Sequence, residues 1–339
     1  MVVVADLDNV LYNNSKLEGV AATLKKGTVG TVVAEAVTDV DGTFTMIGLL
    51  PGTYTLTLTK NGYLSVDVHV KIQGVNGAHF IQTVEMISNS YLGDGTASGV
   101  ISDAATGTGV AGLTLIVRKG MSGTTPSFTT VATAETTAGG VYTLEGLPAG
   151  NYCVEIKDNR TGMPTSNRYV SNSFNVKVLG GKTIGNQNAT VSTRMMMGQL
   201  RIVLEWGEKP RDMDSHFYVP MPTGGWYEVY FGNKRYEDSD RTLIAMLDVD
   251  DTTSFGPETT TLYVPSNGDF YFSVYNWSGE TGINNSNATV KVYAEAKNVP
   301  AYVFSIPTNA TDYRWWRVFK YDGSSRKVLP INEFAESGK

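Results

Sequence analysis

Apolar and polar residues alternate with a period of two along much of this chain, and that spacing predicts strands with one buried face. Tyr63-Leu64-Ser65-Val66-Asp67-Val68-His69-Val70 is one such run, and Phe270-Tyr271-Phe272-Ser273-Val274-Tyr275 and Thr289-Val290-Lys291-Val292-Tyr293 are two more. Further strands are expected at 19–24 and 31–34. In the last third they are expected at 200–206, 213–219, 226–231, 243–248, 259–264, 269–275, 289–294, 301–306 and 315–321. No apolar run at helical spacing persists for a useful length. The expected fold class is all-β.

Two stretches copy each other in register. The first is Gly42-Thr43-Phe44-Thr45-Met46-Ile47-Gly48-Leu49-Leu50-Pro51-Gly52-Thr53-Tyr54. The second is Gly140-Val141-Tyr142-Thr143-Leu144-Glu145-Gly146-Leu147-Pro148-Ala149-Gly150-Asn151-Tyr152. Each reads as strand, tight glycine turn, strand. Upstream, Val110-Ala111-Gly112-Leu113-Thr114-Leu115 answers Leu17-Glu18-Gly19-Val20-Ala21-Ala22. A repeated unit of this size that cannot bury its own apolar face alone builds a small sandwich. The expected organisation is three tandem β-sandwiches over 1–92, 93–196 and 197–339. The second copy carries a longer insert through Ser122-Gly123-Thr124-Thr125-Pro126.

These features resemble the carboxypeptidase regulatory-like family. The matching parts are Gly99-Val100-Ile101-Ser102-Asp103 with Thr106-Gly107, Thr38-Asp39-Val40-Asp41-Gly42-Thr43-Phe44, the Gly-Leu-x-x-Gly-x-Tyr string, and Gly62-Tyr63. The resemblance covers most of residues 1–190 and implies a seven-stranded, transthyretin-like sandwich used as a structural or surface module. The second copy lacks both acids of the Asp39-Val40-Asp41 turn, having Thr136-Thr137-Ala138-Gly139-Gly140 instead. Asp39 and Asp41 therefore read as caps of a hairpin turn.

Composition narrows the classes. The 339 residues are 41% hydrophobic and 18% charged, too apolar for disorder. A net charge of −6 argues against a nucleic-acid partner, which needs clustered Lys and Arg. No stretch approaches the ~20 apolar residues of a membrane-spanning helix. The N-terminal Met1–Asp6 reads as a strand, with neither a basic nor a long apolar signal region. Cys153 is the only cysteine, so an intrachain disulfide is excluded, and its place in a strand predicts a buried thiol.

Beyond Gly198 the character changes: all five Trp (206, 226, 277, 315 and 316) fall there. So do two acidic clusters, Asp212-Met213-Asp214-Ser215-His216 and Asp248-Val249-Asp250-Asp251 with Glu258 downstream. Residues two apart in a strand share a face, so alternation aligns Asp212, Asp214 and His216, and separately Asp248 and Asp250. Crowded carboxylates repel unless a cation or a hydrogen-bond network offsets them, and hard oxygen ligands favour Ca²⁺. The candidate ligands are Asp212, Asp214, Asp248, Asp250, Asp251 and Glu258. The competing reading has these acids capping turns and pairing with Arg211, Lys234, Arg235 or Arg241.

Trp206-Gly207, Asp212-x-Asp214-Ser215-His216, Tyr230-Phe231-Gly232-Asn233, Leu247-Asp248-Val249-Asp250-Asp251, Gly256-Pro257-Glu258-Thr259 and Trp316-x-Val318-Phe319 together resemble the YfaP/DUF2135-type domain. That family belongs to bacterial surface and secreted proteins. The resemblance covers about residues 199–334 and implies a structural divalent-ion site or a polar knot.

Ser215, His216 and Asp214 do not make a catalytic triad, because strand neighbours point to opposite faces. His216 reads as a hydrogen-bonded structural histidine; the other two, His69 and His79, belong to the first repeat. Phosphate loop, zinc spacing and nucleotide fingerprint are all lacking in the sequence. A second candidate site is aromatic: Trp226, Tyr227, Trp277 and Trp315 are candidates for stacking on sugar rings. Trp206 and Trp316 read as core.

The expected function is non-catalytic: a stalk or adhesion segment of a bacterial extracellular or cell-surface protein, with a Ca²⁺-stabilised C-terminal module. Its expected partners are another surface protein or a glycan, with self-association through open strand edges. Two alternatives stand beside it, a carbohydrate-binding module of a polysaccharide-degrading enzyme and a subunit of a self-assembling surface filament.

Overall fold

The computed structural model describes residues 2–6, 15–27, 30–72, 83–122, 129–308 and 313–339. His79 and the insert residues 123–126 lie outside the described residues. Strands dominate, and the helical pieces among the described residues are four 3-10 turns of three residues each. The protein is an all-β sandwich fold, as the alternation predicts. By its contacts the chain divides into two compact units. The first is Met1–Ile101, Gly109–Thr161 and Ser171–Ala189; the second is Ser102–Thr108, Gly162–Val170 and Thr190–Lys339.

The first unit holds both copies of the repeat, and they share one strand order. In the first copy the sheet runs Val32–Val37, Ala21–Lys26, Gly52–Thr59, Val66–Ile72, all antiparallel, and Met121–Ser122 of the second copy adds a parallel fifth strand beside Val66–Ile72. In the second it runs Thr130–Glu135, Thr114–Lys119, Gly150–Lys157, Asn172–Val178. A smaller sheet completes each copy, built on Val2–Asp6 and on Asp94–Asp103 respectively. The first core is closed by Val20, Leu24, Leu56, Leu58 and Val68 from one sheet side and Phe44, Val84 and Met86 from the other.

The repeat is visible in its hydrogen bonds. The Tyr54 hydroxyl donates to the Leu50 carbonyl at 2.6 Å, and Tyr152 does the same to Pro148 at 2.6 Å. Thr38 Oγ1 accepts from the Val20 N–H at 2.9 Å and donates to the Leu17 carbonyl at 2.5 Å. Thr136 repeats this with Leu113 at 2.9 Å and Val110 at 2.7 Å. Both threonines are buried, so each closes a polar account that water cannot reach. Gly140 shows why the motif opens with glycine: its φ is +74°, and a Cβ there would stand 2.2 Å from the Ile101 carbonyl oxygen.

Asp39 caps its turn as expected. Its Oδ1 accepts the N–H groups of Asp41 at 3.0 Å and Thr43 at 2.8 Å. The Thr43 bonds hold this carboxyl below its ordinary range. In the second copy Thr137 takes the place, its hydroxyl donating to the Val141 carbonyl at 3.0 Å. Cys153 is fully buried.

The second unit is a sandwich of two antiparallel sheets. One is ordered Arg235–Glu237, Leu243–Val249, Glu258–Leu262, Leu200–Glu205, Thr289–Tyr293, Tyr302–Ser305. The other is ordered Trp226–Val229, Met213–Pro220, Asp269–Asn276, Trp315–Asp322, Lys327–Ala335. Ile202, Leu204, Leu247, Phe217, Phe272, Trp316 and Phe319 meet between them, with Trp206 also in this core. Two strands escaped the alternation pattern, Arg235–Glu237 and Lys327–Ala335. Both are sheet edges, and the second contains Pro330, which an edge strand tolerates because its free side needs no donor.

Candidate metal centre

The second unit gathers Asp214, Asp250 and Glu258, with one carboxylate oxygen of each lying within 4.8 Å of the others. Strand pairing explains the gathering. Val249 opposes Thr259 in the ladder of the six-stranded sheet, so Asp250 and Glu258 flank the same end of one hairpin. The loop between them is seated by Gly256, whose φ is +70° and whose missing Cβ would stand 2.6 Å from the Trp206 ring. The Phe255 N–H donates to the Gly207 carbonyl at 3.1 Å and ties the same loop down. Asp214 arrives from the Met213–Pro220 strand of the other sheet.

Glu258 is fixed by Ser215. The Trp226–Val229 strand pairs with its neighbour only over Phe217–Pro220, which leaves the Ser215 N–H on that side without a strand partner. Glu258 Oε2 accepts that N–H at 2.6 Å and the Ser215 hydroxyl at 2.6 Å. The remaining oxygen, Glu258 Oε1, is buried with no N–H or hydroxyl donor among the described residues, as are Asp214 Oδ2, Asp250 Oδ1 and Asp212 Oδ1, and Glu258 and Asp250 stand close enough for one proton to bridge them.

The charge balance is uneven. Among the described residues one cation, Lys234, pairs with the group, its Nζ 2.6 Å from Asp250 Oδ2 at the solvent rim. Burial pushes the Asp214 carboxyl up to about 7, and the charges of Asp212 and Asp250 add to the shift. Burial likewise holds Glu258 well above its ordinary range against the Ser215 bonds. Asp212 adjoins the group and is itself raised by burial and by Asp250, with Arg211 opposing. Buried acid oxygens that lack donors demand either protons or a cation. An all-oxygen set without cysteine or histidine suits Ca²⁺ or Mg²⁺ better than zinc.

Of the six predicted ligands, Asp214, Asp250 and Glu258 converge and Asp212 stands beside them. Asp248 does not join. A bulge between Leu247 and Val249 inserts one extra residue and cancels the alternation that would align Asp248 with Asp250. Asp248 instead accepts from the Thr261 hydroxyl at 2.5 Å and the Tyr263 hydroxyl at 2.8 Å, near Arg201. Asp251 caps a turn, accepting from the Thr253 N–H at 2.8 Å and hydroxyl at 2.6 Å.

His216 is a structural ring. Its Nδ1–H donates to Glu228 Oε1 at 2.8 Å, and it packs against Tyr230, Tyr275 and Trp315. The aromatic candidates divide. Trp277 packs edge-on to Phe231 and Tyr275, and Trp315 packs on Tyr275 at 4.6 Å between ring centres. Tyr227 stacks on Tyr236 at 4.5 Å, and Trp226 lies apart beside Tyr271. Ser215 is the positioning residue that sequence alone leaves unassigned, and the short reach of the Trp226–Val229 strand is what frees it for the task; of the four cations that the competing reading offered, Lys234 pairs with Asp250.

No family model matches the chain. Among solved structures, a streptococcal ancillary pilin is 20% identical over 57% of this chain and 62% of its own, with a TM-score of 0.22. The Bacillus anthracis TIE protein is 13% identical over 91% of this chain and 48% of its own, at 0.24. The minor pilin of Streptococcus agalactiae is 14% identical over 57% of this chain and 96% of its own, at 0.23. The chain thus spans about three-fifths of the first of these and about half of the second.

Proposed function

We propose that this chain is a non-catalytic structural segment of a bacterial cell-surface or secreted protein, and that a Ca²⁺ ion held by Asp214, Asp250 and Glu258 clamps its second unit. The observation that carries the cation is the convergence of three carboxylates, each with a buried oxygen that no N–H or hydroxyl donor reaches, against a single rim lysine among the described residues. The ion would join the Met213–Pro220 strand of one sheet to the Leu243–Val249 and Glu258–Leu262 hairpin of the other. It would add to the Ser215–Glu258 bonds that already join the two layers there. The tandem repeats supply the reading of a stalk, since repeated small sandwiches of this kind serve as spacers.

The Asp214-Ser215-His216 run supports a structural role. Ser215 is spent on Glu258 and His216 on Glu228, so the hydroxyl and the imidazole serve different carboxylates. A heat-denaturation scan with Ca²⁺ and with chelator tests the proposal. Saturation near 100 times Kd contributes about 2.7 kcal/mol to the bound fold. For a unit of this size that is a rise of roughly 5–10 °C in Tm. Equal melting in Ca²⁺ and in chelator would refute it.

A further inference from the structure

The outer face of the five-stranded sheet carries a second constellation that the cation centre does not use. Residues Ser337, Gly338 and Lys339 lie across it, and side chains of the sheet bind the backbone carbonyl of each. Arg317 Nε donates to the Ser337 carbonyl at 3.0 Å, and Arg317 Nη2 donates to the Ser337 hydroxyl at 3.0 Å and the Lys339 carbonyl at 2.5 Å. The Ser273 hydroxyl donates to the Gly338 carbonyl. The Lys339 ammonium sits 2.9 Å from the centre of the Trp226 ring. Chain segments of this kind stay loose unless tied down, and these three residues are tied at every position.

The seat selects glycine. Gly338 is buried, and a Cβ on it would stand 2.5 Å from the Tyr218 hydroxyl and 2.6 Å from the Trp315 ring. Neither neighbour is free to yield. Trp315 is packed at 4.6 Å against both His216 and Tyr275. The Tyr218 hydroxyl is held by Glu228, the same carboxylate that holds His216. A cation on the indole face then favours a basic residue next in the chain. In peptide recognition main-chain hydrogen bonds supply affinity and side-chain pockets supply selectivity, and both are present here.

We propose that this face is a peptide-recognition site selective for a Ser-Gly-Lys segment, and that residues 337–339 fill it in cis. A labelled peptide of residues 335–339 is the probe, with binding read by fluorescence anisotropy. The full chain carrying Gly338→Val ejects its own segment and is expected to bind the peptide at least tenfold more tightly than the parent chain does. A chain ending at Glu336 is expected to match it. Adding Arg317→Ala to the Gly338→Val chain, or replacing the peptide's glycine by valine, is expected to cost at least tenfold. Both opened chains must keep the parent's melting profile, which separates loss of the segment from loss of fold. Folded Gly338→Val and Glu336-ended chains that bind no better than the parent, or a valine peptide that binds as well as the glycine one, would overturn the proposal.

Discussion

Glu258 and Ser215 are joined twice through one oxygen: Glu258 Oε2 accepts both the backbone N–H and the hydroxyl of Ser215, each at 2.6 Å. The pair links the two sheets of the second unit and leaves Glu258 Oε1 turned to no donor. Half of a buried carboxylate is satisfied by protein and half is not. Ser215→Ala removes the hydroxyl bond and keeps the N–H bond. With Ca²⁺ bound and Glu258 ionised, a hydrogen bond to a charged group contributes about 1.5–3 kcal/mol, so chemical denaturation in Ca²⁺ should show a loss of that order. Ca²⁺ affinity should fall with it, because the ligand becomes less well held.

Removing a cluster charge should act in opposite directions with and without the ion. Asp214→Asn relieves the repulsion from Asp212 and Asp250 that, with burial, raises the Asp214 carboxyl. In chelator at pH 8 this variant should melt at or above the parent. In Ca²⁺ it should melt below the parent, because the Ca²⁺ shift disappears. A variant that loses stability equally in both buffers would show Asp214 to be an ordinary structural acid.

Stability of the chelated protein should fall as pH rises. The Asp214 carboxyl ordinarily titrates at 3.8 and is pushed up to about 7 in the fold. Between those values the folded state keeps a proton that the unfolded chain has released, so rising pH favours unfolding. The stabilisation is complete below the lower value and gone above the upper one. Glu258, raised in the same direction, adds to the trend. Ca²⁺ replaces the protons, so its effect on Tm should be small at pH 5 and large at pH 8, measured by melting in matched buffers.

Thr38 and Thr136 should prove equivalent in the two repeats. Each bridges an N–H and a carbonyl of its own copy in a buried place. Thr→Val at either keeps the shape and strands both backbone groups, for a cost of about 1–3 kcal/mol. Denaturant titration of the two single variants and the double should give nearly additive losses, since the sites share no partner.

Much of this was legible from the chain. Alternation exposed the β class and nine of the second unit's strands, seven of them central and two, Trp226–Val229 and Tyr302–Ser305, at sheet edges. It missed Lys327–Ala335, an edge where burial imposes little pattern and Pro330 breaks the motif. The acidic clusters marked where carboxylates gather, and Asp214, Asp250 and Glu258 do meet. Asp248 was misplaced because a bulge has no signature in a run of alternating residues. Ser215 as the holder of Glu258 depends on where a neighbouring strand stops, which no local pattern records. Trp206 and Trp316 are core as their apolar neighbours indicated. The Ser337–Lys339 seat was invisible, since it joins residues from four separate strands.

The decisive measurement is a crystal structure of the full chain grown with Ca²⁺ at pH 8. A bound ion gives a density peak with one oxygen each from Asp214, Asp250 and Glu258 at about 2.3–2.6 Å, completed by water or Asp212. Carboxylates closed on Lys234 and on each other, with no peak between them at saturating Ca²⁺, would contradict the Ca²⁺ clamp.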